Sequence, residues 1–189
     1  MKRKGIVSAG AVLFMAALYF FGGAAELAAL LAAAAVHEAG HAAVICLCGG
    51  KIRSLRFTAA GLSMVYSGVI SENAELLSIL AGPLLGILAA LLTLKTAPLF
   101  AYISLFLSAY NLLPALPLDG GRALYSLLIR RKNIGNAEKI LTVSGIASGL
   151  LLLFAGLYAL HRQLGLALVF AGIWLLIAQT GLVKSLSVM

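Results

Sequence analysis

His37-Glu38-Ala39-Gly40-His41 lies within the apolar stretch from Leu27 to Cys48, whose one charged residue is Glu38. Histidines four residues apart fall on one face of a helix, so both imidazoles can reach a single Zn²⁺ while the intervening glutamate can act on water at the metal. Ionisable groups at membrane depth are costly and mark function. The competing use, two histidines satisfied as ordinary core groups of an Ala-rich helix, offers no return for that cost.

The surrounding composition supplies the membrane. Of 189 residues, 62% are hydrophobic and 11% charged, and the mean hydropathy is +1.08, whereas a soluble domain carries about 25% charged residues. Six apolar spans are predicted, about 5–22, 26–48, 76–94, 98–113, 140–160 and 164–183, each near the roughly 20 residues that cross the hydrocarbon core. The first follows Met1-Lys2-Arg3-Lys4 like a signal peptide. Phe20-Phe21-Gly22-Gly23 is a poor cleavage site, however, and the span is expected to be retained. The fold class is therefore an all-α polytopic membrane protein, with 1–189 as one membrane-embedded domain.

The net charge of +8 would suggest nucleic acid in a soluble protein; here its distribution sets topology, and no nucleic-acid partner is expected. With a cytosolic N-terminus, six spans place Lys2, Arg3, Lys4, Lys51, Arg53, Arg56, Arg122, Arg130, Arg131, Lys132, Lys139 and Lys184 inside. Only Lys95 and Arg162 of the 14 basic residues lie outside, as the positive-inside rule asks. Both termini are then cytosolic, and Arg130-Arg131-Lys132 reads as a topology signal in contact with anionic lipid.

Between the second and third spans, Gly49-Gly50 stops the helix. Leu62, Met64 and Tyr66 then alternate with Ser63, Val65 and Ser67 behind a weaker strand, Lys51–Phe57, which predicts a β-hairpin at the cytosolic membrane surface. Gly82 and Gly86, and again Gly145 and Gly149, have the small-xxx-small spacing that lets helices approach closely. The tryptophan and tyrosines near span ends, such as Tyr158, read as interfacial anchors. Cys46 and Cys48 lack metal or redox spacing and are expected to be small buried thiols without a disulfide.

A hydrolytic zinc needs a third protein ligand. The other acids are Glu26, Glu72, Glu75, Asp119 and Glu138, and the remaining histidine is His161. The charge-derived topology puts Glu26 and His161 at the outer surface, whereas helix rise places His37 and His41 on the order of 10–15 Å below the cytosolic face. Asp119 approaches from that same side, after Asn111-Leu112-Leu113-Pro114-Ala115-Leu116-Pro117-Leu118, whose prolines interrupt a helix. Such irregular apolar backbone suits a cavity wall; a turn or cap role for Asp119 is the alternative.

The pairing of HEAGH with NLLPALPLDGGR closely resembles the site-2 protease family (peptidase family M50), whose hallmarks are HExxH and an N-x-x-P-x-x-P-L-D-G segment. The likeness covers roughly residues 25–130 and is nearest to the branch of stage IV sporulation protein FB. It implies an intramembrane zinc metalloprotease with His37, His41 and Asp119 as ligands to one Zn²⁺, Glu38 as catalytic acid and base, and Asn111 in the active site, where it helps bind the oxyanion. It also implies regulated intramembrane proteolysis of a membrane-anchored protein substrate, such as a pro-sigma factor, an anti-sigma factor or a signal-peptide remnant, entered from the cytosol. Gly86 stands where family members often carry Asn, and no PDZ or CBS domain is expected in 1–189. The rival readings are a metalloprotease completed by a downstream Glu, for which Glu138 in a short basic loop is a poor candidate, and a zinc transporter or non-hydrolytic zinc scaffold. A transporter would carry ligands on several further spans, and a scaffold would have lost Glu38 or a ligand.

Overall fold

The computed structural model describes residues 23–58, 61–68, 71–131, 134–163 and 166–186. The predicted 5–22 span lies outside them. The chain divides into two compact units, one ending at Ala109 and one starting at Tyr110.

In the first unit, helix α1 (Ala24–Leu47) leads into strands β1 (Lys51–Thr58) and β2 (Gly61–Ser67), then helix α2 (Glu72–Thr93) and most of helix α3 (Pro98–Asn111). Gly49 ends α1 as the two glycines require: its φ of 86° is in the left-handed region, and the Gly50 N–H turns back to the Ile45 carbonyl at 2.9 Å. The predicted hairpin is present. Its strands pair antiparallel from Lys51↔Ser67 to Thr58↔Gly61, with a register irregularity between Ile52 and Ser54. Ser71 caps α2 by accepting the Ala74 N–H at 3.2 Å.

The second unit holds helices α4 (Asp119–Ile129), α5 (Ile134–His161) and α6 (Ala167–Leu186). The sequence reading places no helix between the 98–113 and 140–160 spans and puts Glu138 in a short basic loop, and here the structure corrects it. Leu118 has extended backbone and Asp119 opens an 11-residue helix; α5 begins at Ile134, so Glu138 and Lys139 are helical rather than in a loop. Short segments that mix Arg, Gly and Tyr with leucines carry too weak an apolar signal to read as spans, although one face can still be buried.

Packing follows membrane rules, with small residues inside and large apolar residues outside. Ala33, Ala74, Ala90, Ala101, Ala137 and Ala159 are buried, while Leu91, Leu92, Val143, Leu151, Phe154 and Phe170 face outward. Lipid is as apolar as leucine, so hydrophobicity gives large side chains no reason to turn inward, whereas small ones let backbones touch. A Cβ on Gly40 of α1 would meet the Ala81 carbonyl oxygen of α2 at 2.5 Å; Gly86 of α2 accommodates Ser108 of α3; Gly149 and Gly156 of α5 accommodate Leu176 and Val169 of α6. Both glycine pairs singled out by spacing are therefore packing sites.

Three described helices, α1, α2 and α5, are long and apolar enough to cross a membrane, and α6 has a shorter apolar stretch, Ala167–Thr180. Helix α3, with 14 residues, rises only about 21 Å. These apolar helices fit a membrane location. Two smaller expectations fail: Cys46 and Cys48 are free but exposed, because the buried face of α1 runs through Ala33, His37, Gly40, His41 and Ile45 and misses both. Trp174 packs on the buried cluster of Ala115, Leu118 and Leu175 rather than anchoring a helix end, whereas Tyr158 is exposed and accepts from Arg162 at 3.1 Å.

Gly40→Val is expected to destabilise the fold by about 1–3 kcal/mol through overpacking of α1 on α2. Thermal unfolding in detergent, with Ala39→Val on the exposed side of the same turn as control, measures the difference.

Candidate active site

Helix α1 delivers the two histidines because residues 37 and 41 share its buried face with Gly40. Their rings lie edge to face with centroids 4.9 Å apart, and the two Nε2 atoms approach to 3.2 Å. The same ligand atom of each ring is thus aimed at one point. His41 Nδ1 is 2.7 Å from the Ser78 carbonyl oxygen on α2. A carbonyl only accepts, so Nδ1 carries the proton and Nε2 presents its lone pair, the tautomer a metal requires.

Room for this arrangement comes from Gly82, where a Cβ would collide with the His41 ring, lying 2.5 Å from Cε1. Gly40 and Gly82 act together: one lets α1 approach α2, and the other lets the imidazole lie on the α2 backbone. Glu38, on the neighbouring edge of α1, is half-buried.

In the second unit Asp119 is buried at the first residue of α4, where the helix dipole and free N–H groups favour a carboxylate. The exposed Arg122 guanidinium donates to Asp119 Oδ1 at 3.4 Å, one turn on. Ahead of it, 112–118 is irregular but hydrogen-bonded: the Ala115 N–H donates to Leu113 O at 2.8 Å and the Leu118 N–H to Ala115 O at 2.9 Å. Gly120 and Gly121 lie so close to Leu112–Leu113 and Ala115–Leu116 that any Cβ would strike backbone. The loop therefore folds back tightly on the start of α4. Asn111 is half-buried and ends α3, directly before this segment.

His37 and His41 in the first unit and Asp119 in the second are each buried, and their chemistry is compatible with zinc. Two neutral imidazoles and one carboxylate are the mixed nitrogen and oxygen set that zinc accepts at hydrolytic sites.

Comparison with known proteins points the same way. The family model of peptidase family M50 matches residues 69–153, a stretch that includes Asn111 and Asp119 but not the HExxH motif. A zinc metalloprotease of Methanocaldococcus jannaschii is 27% identical over 139 residues, which is 67% of this chain and 41% of that protein. The chain thus spans about two fifths of the length of this curated relative. The structure of a site-2 protease from Methanocaldococcus jannaschii superposes with a TM-score of 0.68 at 22% identity, covering 93% of this chain and 88% of that one, a likeness of fold. These matches are likenesses to peptidase family M50 over residues 69–153, to a zinc metalloprotease in sequence and to a site-2 protease in fold.

Motif reading missed the groups that hold these side chains in place. The Ser78 carbonyl carries no sequence signal, since any residue would supply it. Gly82 was visible as a packing residue, but its partner, the His41 ring, was not. Gly82→Ala is expected to push the His41 imidazole away from Ser78 and to weaken zinc binding by tenfold or more, the scale for loss of a ligand's supporting contacts. Competition against a fluorescent zinc chelator measures the change.

Proposed function

We propose that this chain is an intramembrane zinc metalloendopeptidase of site-2 type, with 1–189 forming one membrane-embedded domain of six spans and both termini in the cytosol. The observation that carries the reading is the convergence of His37 Nε2 and His41 Nε2 at 3.2 Å, with the His41 tautomer held by the Ser78 carbonyl. In this reading His37, His41 and Asp119 hold one zinc ion. When bound, zinc supplies Lewis acidity, which acidifies water and polarises a peptide carbonyl.

The remaining chemistry belongs to the chain. Glu38 takes the proton of the attacking water and returns it to the leaving amine. Asn111 donates a hydrogen bond to the oxyanion. A substrate helix hides its carbonyls in i→i−4 hydrogen bonds and must unwind first, and β2, paired with β1 alone among the described strands, offers an edge on which an unwound stretch can add as a strand. The substrate class is a membrane-anchored protein cut in or near its span; pro-sigma factors, anti-sigma factors and signal-peptide remnants are the candidates, and the motif pair resembles that of the sporulation-protein branch. A non-hydrolytic zinc scaffold is disfavoured because Glu38 is retained beside the ligand pair.

Glu38→Gln is expected to keep zinc near one per chain and abolish cleavage of a membrane-tethered reporter, since an amide preserves shape but cannot carry the proton. His37→Ala, His41→Ala and Asp119→Ala should each lower zinc content, measured by elemental analysis of purified protein. Retained turnover in Glu38→Gln, or full zinc in Asp119→Ala, would overturn the corresponding role.

Orientation has its own test. In a Cys-free background, single cysteines at 132 and at the 95–97 turn should label only from the cytosolic and the opposite side, respectively. Labelling of position 132 from outside would reverse the topology.

A further inference from the structure

The segment carrying Asp119 contains Pro114 and Pro117, which contribute no backbone N–H, so its own backbone cannot satisfy all of its carbonyls. Within lipid no water would replace those donors. Two side chains in the second unit do so. Ser144 Oγ of α5 donates to the Pro114 carbonyl at 2.6 Å, and Gln179 Nε2 of α6 donates to the Leu116 carbonyl at 2.7 Å. Ser144 also lies 3.1 Å from its own helix's Leu141 carbonyl, and Gln179 lies 3.3 Å from Leu175 O.

Gln179 is the more informative of the two. It is 1% exposed, on a helix otherwise made almost wholly of apolar residues. Both groups facing its amide nitrogen are carbonyls, so the NH₂ end must point at them and Oε1 must point away. Oε1 is buried without a hydrogen-bond partner among the described residues, a desolvation cost that nothing in its surroundings returns. It lies against Gly145 of α5, where a Cβ would collide with Oε1 and sit 2.6 Å from Cδ. A leucine would fill this position without that cost. What leucine cannot supply is the donor for Leu116, three residues before Asp119.

We propose that Gln179, seated on Gly145 and aided by Ser144, is a positioning residue. It pins the Leu116 carbonyl and thereby sets the depth and aim of the Asp119 carboxylate as the third zinc ligand. The proposal rests on the zinc reading of the site and extends it to α6, which lies beyond the matched residues 69–153.

The test uses the full chain in detergent with zinc as probe, measuring zinc affinity, the absorption spectrum of the cobalt(II)-substituted protein and the melting temperature of the zinc-free protein. Gln179→Met keeps volume and removes the donor. Zinc affinity should fall about tenfold and the cobalt spectrum should change, while the zinc-free melting temperature stays within a few degrees of the parent. Gly145→Ala should reproduce the affinity loss by displacing Gln179, yet add nothing in a Gln179→Ala background, where the collision partner is gone. Parental zinc affinity and cobalt spectrum in Gln179→Met, a lowered melting temperature with unchanged affinity, or additive losses in the double variant would each overturn the proposal. If Gln179→Met does not fold, Gly145→Ala and its double variant decide. Failure of the zinc reading itself looks different: the parent chain binds no zinc, or Asp119→Ala binds it as tightly as the parent.

Discussion

The close crossing of α1 on α2 is the constraint from which the histidine site follows. At Gly40 a side chain would strike the Ala81 carbonyl, and at Gly82 it would strike the His41 ring. With both positions empty, the imidazole reaches the Ser78 carbonyl at 2.7 Å, and its tautomer and direction are set by backbone rather than by a mobile side chain. A ligand oriented by backbone loses little entropy when a metal arrives, which is what preorganisation requires.

The same physics works on the second unit with other means. In lipid a broken helix is tolerated only where other groups satisfy its exposed backbone. Here Ser144 and Gln179 satisfy the carbonyls that the prolines leave without partners, and the apolar side chains of the segment, Ala115 and Leu118, are buried with Leu175. The result is an irregular strip that is both hydrogen-bonded and packed. Its end is the first turn of α4, where Asp119 is buried. The prolines thus allow a carboxylate to open a helix directly after an apolar segment.

Large side chains turned outward and small ones turned inward also explain why distant residues matter. Glycines at 145, 149 and 156 let α5 and α6 lie against each other, and that contact brings Gln179 within reach of Leu116. A helix with no candidate ligand of its own therefore takes part in supporting the site. A site concentrated in a few polar atoms depends on many residues whose only contribution is to be small.

Much of the protein is legible in its amino-acid order, because the signals are local. The i, i+4 spacing of His37 and His41 defines a helix face, the alternation after Leu62 defines a strand, Gly49-Gly50 ends a helix, and near-absence of charge defines the solvent. The pairing of HExxH with the Asp119 segment is local in the same sense, since each motif is a short fixed pattern. What tertiary structure decided is everything that depends on which surfaces meet. Asp119 begins a helix instead of sitting in a loop, Trp174 packs inward, and the two cysteines fall off the buried face of α1. The Ser78 carbonyl, the space at Gly82 and the Gln179 amide become supports for the site only through packing. A backbone carbonyl is the same group at every position in the sequence, and only the fold determines which one an imidazole or an amide can reach.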